Sequence, residues 1–183
     1  LEVGTGTGES TLELVRRGHT VISVDENPDC LRLAADTLSA AGHRVHRVDR
    51  ARTRTAGSGY LVEYRYPKDV VPLPGGVILL EGDVINDPKL IGWLEALGGF
   101  DAIVCWLIGT HEARHLNAGL ADLQIRTSGE YRLRVQNRVY EMADRLLRPG
   151  GILHVVDRGE APSAEIKDDT LNAHRDQASV TSL

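Results

Sequence analysis

Leu1-Glu2-Val3-Gly4-Thr5-Gly6-Thr7-Gly8-Glu9-Ser10-Thr11 is the stretch on which the reading of this chain turns. Glu2 and Val3 read as the end of a buried strand. Gly4, Gly6 and Gly8 then fall at alternate positions, and the amphipathic run STLELVRRG follows at once. The order is strand, glycine turn, helix start. Glycine suits such a turn because it tolerates positive φ and lets a ligand lie against bare backbone. A dinucleotide loop, G-x-G-x-x-G, would need glycine or alanine at position 9, where this chain has Glu9. A carboxylate there repels the pyrophosphate that a helix N-terminus would otherwise attract.

The acid-x-G-x-G-x-G pattern of Glu2, Gly4, Gly6 and Gly8 instead resembles motif I of the class I S-adenosylmethionine (SAM)-dependent methyltransferases. The resemblance implies that Glu2, Gly4, Thr5, Gly6 and Gly8 belong to the cofactor site. Downstream, Thr20–Val24 is a short apolar run closed by Asp25, about where a ribose-binding acid falls after such a turn. By the resemblance Asp25 is the ribose ligand, with Glu26 next to it. Val77–Leu80 reads as another buried strand, followed by Glu81-Gly82-Asp83-Val84. In the family Asp83 would accept a hydrogen bond from the adenine amino group while Val84 covers the ring. A carboxylate suits that task because it is acceptor-only. Phe100–Trp106 reads as a further strand, and the resemblance adds Cys105 at its end to the cofactor set, although a cysteine there equally suits a buried core.

Local signals place the helices. Asn27 caps a helix opened by Pro28, with Leu31, Ala34, Ala35, Leu38 and Ala41 at helical spacing. Asn86-Asp87-Pro88 opens a short helix to about Leu97. Thr127 and Glu130 form a capping box ahead of a long helix that ends at Leu147-Arg148-Pro149-Gly150-Gly151, with a strand at Ile152–Val156. This helix–LRPGG–strand unit is a frequent companion of motif I in the family. Between 44 and 66 the chain is expected to insert a β-hairpin, with Arg50, Arg52 and Arg54 sharing a face of one strand and Tyr60, Tyr64 and Tyr66 a face of its partner. Such a hairpin reads foremost as an exposed element whose long side chains cover apolar surface, with a grip on a nucleic-acid backbone or stacking on bases as the alternative.

The expected fold is α/β: a three-layer α/β/α Rossmann-like sheet, mostly parallel, carrying that hairpin, with residues 1–183 as one domain. A start inside a strand at Leu1 and the absence of the family's sixth and seventh strands suggest a chain cut at both ends. Hydrophobic content of 42%, charged content of 26% and a net charge of −5 suit a globular protein and argue against nonspecific nucleic-acid binding. No apolar run is long enough to span a bilayer. Two cysteines make no disulfide or metal framework, which favours a reducing, cytoplasmic setting.

His111-Glu112-Ala113-Arg114-His115 matches H-E-x-x-H, a zinc-hydrolase pattern. Its position in a first helical turn disfavours a cation, and no third ligand announces itself. As part of a methyltransferase, His111 is the preferred general base for the acceptor and Glu112 the second choice. The Pro-Cys pair of C5-pyrimidine methylation and the Asn/Asp-Pro-Pro-Tyr signature of base amino methylation are both missing. These absences disfavour two nucleic-acid classes, so a small molecule or protein side chain is slightly preferred as methyl acceptor, with nucleic acid left open. The rivals are an NAD(P)-linked oxidoreductase, disfavoured by Glu9, and a SAM-binding module without catalysis.

Overall fold

Strands buried on both faces read as continuous apolar runs, and such runs form the centre of this molecule. A computed structural model describes residues 1–55, 57, 59–67, 74–110, 112–158 and 163–179, without the side chains of 112, 113, 121–123, 174, 177 and 178. In chain order the elements are β1 (Glu2–Val3), α1 (Glu9–Arg16), β2 (Val21–Asp25), α2 (Pro28–Ala40), β3 (Val45–Val48), β4 (Ala51–Arg54), β5 (Tyr60–Glu63), β6 (Val77–Glu81), α3 (Leu90–Glu95), β7 (Phe100–Trp106), α4 (Ser128–Leu146), β8 (Leu147–Val156) and α5 (Lys167–Ala178). Two 3₁₀ segments, Glu112–Leu116 and Ala118–Leu123, lie between β7 and α4.

Six strands pair in parallel in the order β3-β6-β2-β1-β7-β8, and β4 and β5 make a separate antiparallel pair. Two apolar clusters form on the sheet. Val21, Val77 and Leu79 pack with Val15 of α1 and Leu31, Ala34 and Leu38 of α2. Ile22, Val24, Ile78, Leu80 and Ile103 pack with α3 and with Val135, Val139, Met142 and Leu146 of α4. Alternate residues of the same strands feed opposite clusters, giving the three-layer α/β/α Rossmann-like arrangement. Chain order runs outward from β1 through β2 to β6 on one side and restarts at β7 on the other. That reversal opens a crevice at the carboxyl ends of the strands.

The caps form as the sequence suggests. Asn27 Oδ1 accepts the Asp29 N–H at 3.0 Å, and Thr127 Oγ1 accepts the Glu130 N–H at 3.1 Å while Glu130 reaches back to Thr127. The expected 44–66 hairpin needs correction. Val45–Val48 is an edge strand of the main sheet, with Val45 opposite Val77 and Val48 opposite Leu80. Only 51–63 forms the hairpin. An edge strand covered on one side tolerates His46 and Arg47, so its charged residues disguised a sheet strand as a hairpin arm. Arg50 is also not an exposed arginine: its side chain is 1% exposed. Its backbone N–H reaches Glu81 Oε2 at 2.8 Å, its Nε reaches the Glu81 carbonyl at 2.6 Å, and its guanidinium lies 4.0 Å from the Tyr66 ring centroid. Strand β8 begins directly at Leu147, before the Pro-Gly-Gly, with a register shift opposite Phe100–Ala102.

Candidate functional site

Glycine geometry shapes the first wall. Gly4, Gly6 and Gly8 have φ of 91°, 52° and 91°, all left-handed. Each plays a different part. A Cβ on Gly4 would strike Ile108 Cδ1 at 2.4 Å, and one on Gly8 would lie 2.8 Å from Ala34 Cα, so Gly8 lets α1 and α2 approach. A Cβ on Gly6 would meet nothing within 4 Å. Its backbone faces open space.

Beneath the loop, Glu2 is buried and takes three hydroxyls: Ser10 Oγ at 2.5 Å, Thr11 Oγ1 at 2.5 Å and Ser23 Oγ at 2.6 Å. Thr5 Oγ1 lies 2.6 Å from Ser23 Oγ. The motif's acid thus ties β1, α1 and β2 together from below. Asp25 closes β2; its Oδ2 accepts the Gly6 N–H at 3.1 Å and its Oδ1 the Asn27 N–H at 2.8 Å. Burial raises the Asp25 pKa, and these N–H groups oppose the rise.

These elements enclose a cleft of about 300 Å³, within the range of small-molecule sites. Gly4, Thr5, Gly6, Asp25, Glu26, Asp83 and Val84 all line it, with Glu9, the turn after β7 and Tyr131 of α4 completing the wall. Glu2, Gly8 and Cys105 do not. Cys105 is fully buried in the α3–α4 core, and burial pushes its thiol up to about 12. Asp83 Oδ1 accepts the N–H groups of Ile85 at 2.8 Å and Asn86 at 3.1 Å. Its Oδ2 is buried without a hydrogen-bond partner among the described residues. Leu107, in the turn after β7, holds φ 53°, a conformation costly for a bulky side chain.

Charge distinguishes this cleft. Glu9, Asp25, Glu26 and Asp83 line it, and among the described residues no Lys, Arg or His does. Thr7 hydrogen-bonds Glu9, which keeps that carboxyl below the usual range and charged. Burial pushes Glu26 up to about 7, with the nearby Arg114 guanidinium opposing the rise. Arg114 Nε donates to Glu26 Oε2 at 2.9 Å, and its guanidinium carbon sits 3.2 Å from the Tyr131 ring centroid. Neither Arg114 nor Tyr131 had a local signal in the sequence. Both are brought in by tertiary packing, 88 residues separating Arg114 from Glu26.

His111 lies outside the described residues, as does the side chain of Glu112. The rest of the H-E-x-x-H run, from Glu112 to His115, lies in a 3₁₀ segment. Among the described residues no group of three or more His, Cys, Asp or Glu side chains is placed to hold a metal. None of their helices is long and apolar enough to cross a membrane.

No family model matches the chain, and no curated protein matches it. A solved structure from work on the conversion of a disulfide bond into a thioacetal group during echinomycin biosynthesis is similar to it, at 18% identity and a TM-score of 0.49. The likeness covers 97% of this chain and 59% of that one, so this chain spans less than two thirds of its length. The functional reading rests on the cleft itself.

Proposed function

We propose that the protein is a SAM-dependent methyltransferase. The observation that carries this reading is the acidic lining of the crevice at the strand carboxyl ends. SAM brings a sulfonium and an ammonium, which four carboxylates attract. A dinucleotide brings a diphosphate, and each like charge about 4 Å from a carboxylate costs about 4 kcal/mol at an effective dielectric of 20. Glu9, in the first turn of α1 and lining the cleft, would add to that cost.

The donor set fits the rest of such a cofactor. The Gly4–Gly6 backbone would run along the methionine part. Asp25 would take ribose hydroxyls, Asp83 Oδ2 would accept from the adenine amino group, and Val84 and Ile108 would pack on the ring. Glu2 acts through the loop as a positioning residue, and Gly8 through helix packing. When bound, the group would supply an activated methyl for transfer to an acceptor lone pair, the electron pair of the broken carbon–sulfur bond staying on sulfur. The chain's task is then to align the acceptor and exclude water. An acceptor hydroxyl or ammonium must also lose a proton, and His111 and Glu112, after β7, are the proposed bases.

Calorimetric titration with S-adenosylhomocysteine and with NADH tests the reading. Micromolar binding of the first and none of the second is expected, with at least about tenfold loss in Asp25→Ala. Binding of NADH alone overturns the proposal.

A further inference from the structure

Beyond Thr110 and Tyr131, which line both, the cofactor cleft adjoins a second chamber of about 460 Å³. Its electrostatics are reversed. Arg114, His115 and Arg126 line it along with Gln124 and Ser128, and among the described residues no aspartate or glutamate does. Arg114 lines this chamber and not the cofactor cleft. Its side chain is only 10% exposed; Nε is committed to Glu26 and the guanidinium plane to Tyr131, yet Nη2 is buried without a partner among the described residues. A buried guanidinium N–H left unpaired costs more than a neutral one. A guanidinium lining a chamber that no carboxylate lines among the described residues is suited to an anion's oxygens.

We propose that this chamber binds the methyl acceptor through an anionic group, a carboxylate or phosphate, held by Arg114 and Arg126. The inference rests on the methyltransferase reading for the word acceptor, but the anion site stands on its own geometry. The two neighbouring chambers sort charge: the acidic one takes the cationic donor, the basic one the anionic acceptor. An anion is thereby kept out of the cofactor cleft. Tyr131 and Thr110, shared by both, mark where the acceptor's nucleophilic atom must meet the methyl group. Glu26 and Arg114 couple the two sides through one ion pair.

The test is calorimetry on the full chain, with S-adenosylhomocysteine titrated first and then, in separate arms, benzoate, phenyl phosphate and benzamide. Binding of either anion without benzamide is expected, and which anion binds more tightly tells carboxylate from phosphate. Arg126→Gln, an exposed position, is expected to weaken that binding about tenfold or more, the loss of one charge-assisted bond. S-adenosylhomocysteine binding in parallel reports that the variant is folded. Arg114→Lys, which keeps the charge and loses the fork, should weaken the anion likewise. Equal binding of benzamide, anion binding indifferent to Arg126, or no anion binding by a chain that binds S-adenosylhomocysteine would each overturn the proposal. Arg126-dependent anion binding without S-adenosylhomocysteine binding would overturn the methyltransferase reading and leave the anion site standing.

Discussion

Asp83 spends one oxygen on two backbone N–H groups and leaves the other buried and open, so its substitution separates structure from binding. Asp83→Asn keeps an oxygen for Ile85 and Asn86 but turns an NH₂ toward a ligand that itself donates. Loss of S-adenosylhomocysteine affinity by about tenfold or more is expected with a melting temperature near the parent's; unchanged affinity would remove Asp83 from the site. Glu26 makes a pH prediction. Its carboxyl ionises near 4.5 when unfolded and is pushed up to about 7 by burial. Between those values the folded chain keeps a proton that the unfolded chain has released. Stability therefore falls as pH rises across that window, by up to about 3 kcal/mol. Urea titrations at both ends of it should show a steeper fall for the parent than for Glu26→Gln. SAM affinity should move the other way, rising as Glu26 becomes charged. That Asp25 and Asp83 line the cleft was legible in the sequence, Asp25 from its distance beyond the glycines and Asp83 from its place just after a buried apolar strand. Arg114 was not, because nothing near it in the chain records Glu26 or Tyr131.

At the scale of elements, the glycine loop and the helix caps follow from neighbouring residues, and this is why they could be read directly. The same loop makes a discriminating pair. Gly8→Ala drives a Cβ to 2.8 Å from the backbone of α2 and strains a φ of 91°, so it should cost about 2 kcal/mol or more and separate α1 from α2. Gly6→Ala meets no neighbour, so it should cost about 1 kcal/mol from backbone strain while obstructing the open face of the cleft. Denaturation and S-adenosylhomocysteine titration of both variants check the contrast: Gly8→Ala fails chiefly in stability, Gly6→Ala chiefly in binding. Thr127→Ala should cost α4 about 1 kcal/mol. The element misread was β3, where Arg47 and His46 mask the one-sided burial of Val48. A strand's place in a sheet is set by its partner, here β6, some thirty residues on.

Across the whole molecule, the parallel order of the sheet follows from alternating strand and helix patterns, whereas the seating of the β4–β5 hairpin depends on buried Arg50. Arg50→Met would take the Nε donor from the buried Glu81 carbonyl and remove the guanidinium that stands 4.0 Å from the fully buried Asp87 carboxylate, and should destabilise the fold by about 3–5 kcal/mol. Protease cutting in the hairpin, faster in this variant than in the parent, would show the loosening. The central place of β1 has a consequence in time. Glu2 and Val3 pair with Ser23 and Val24 on one side and with Val104 and Cys105 on the other. During synthesis the glycine loop therefore emerges about a hundred residues before the strand that completes its support. Early in the chain's life the cleft has a floor with one wall missing. Refolding from urea, followed through Trp106 at the cleft, should accordingly run in milliseconds to seconds, as expected of distant pairings, and ligand-binding competence should arrive only with that slow phase.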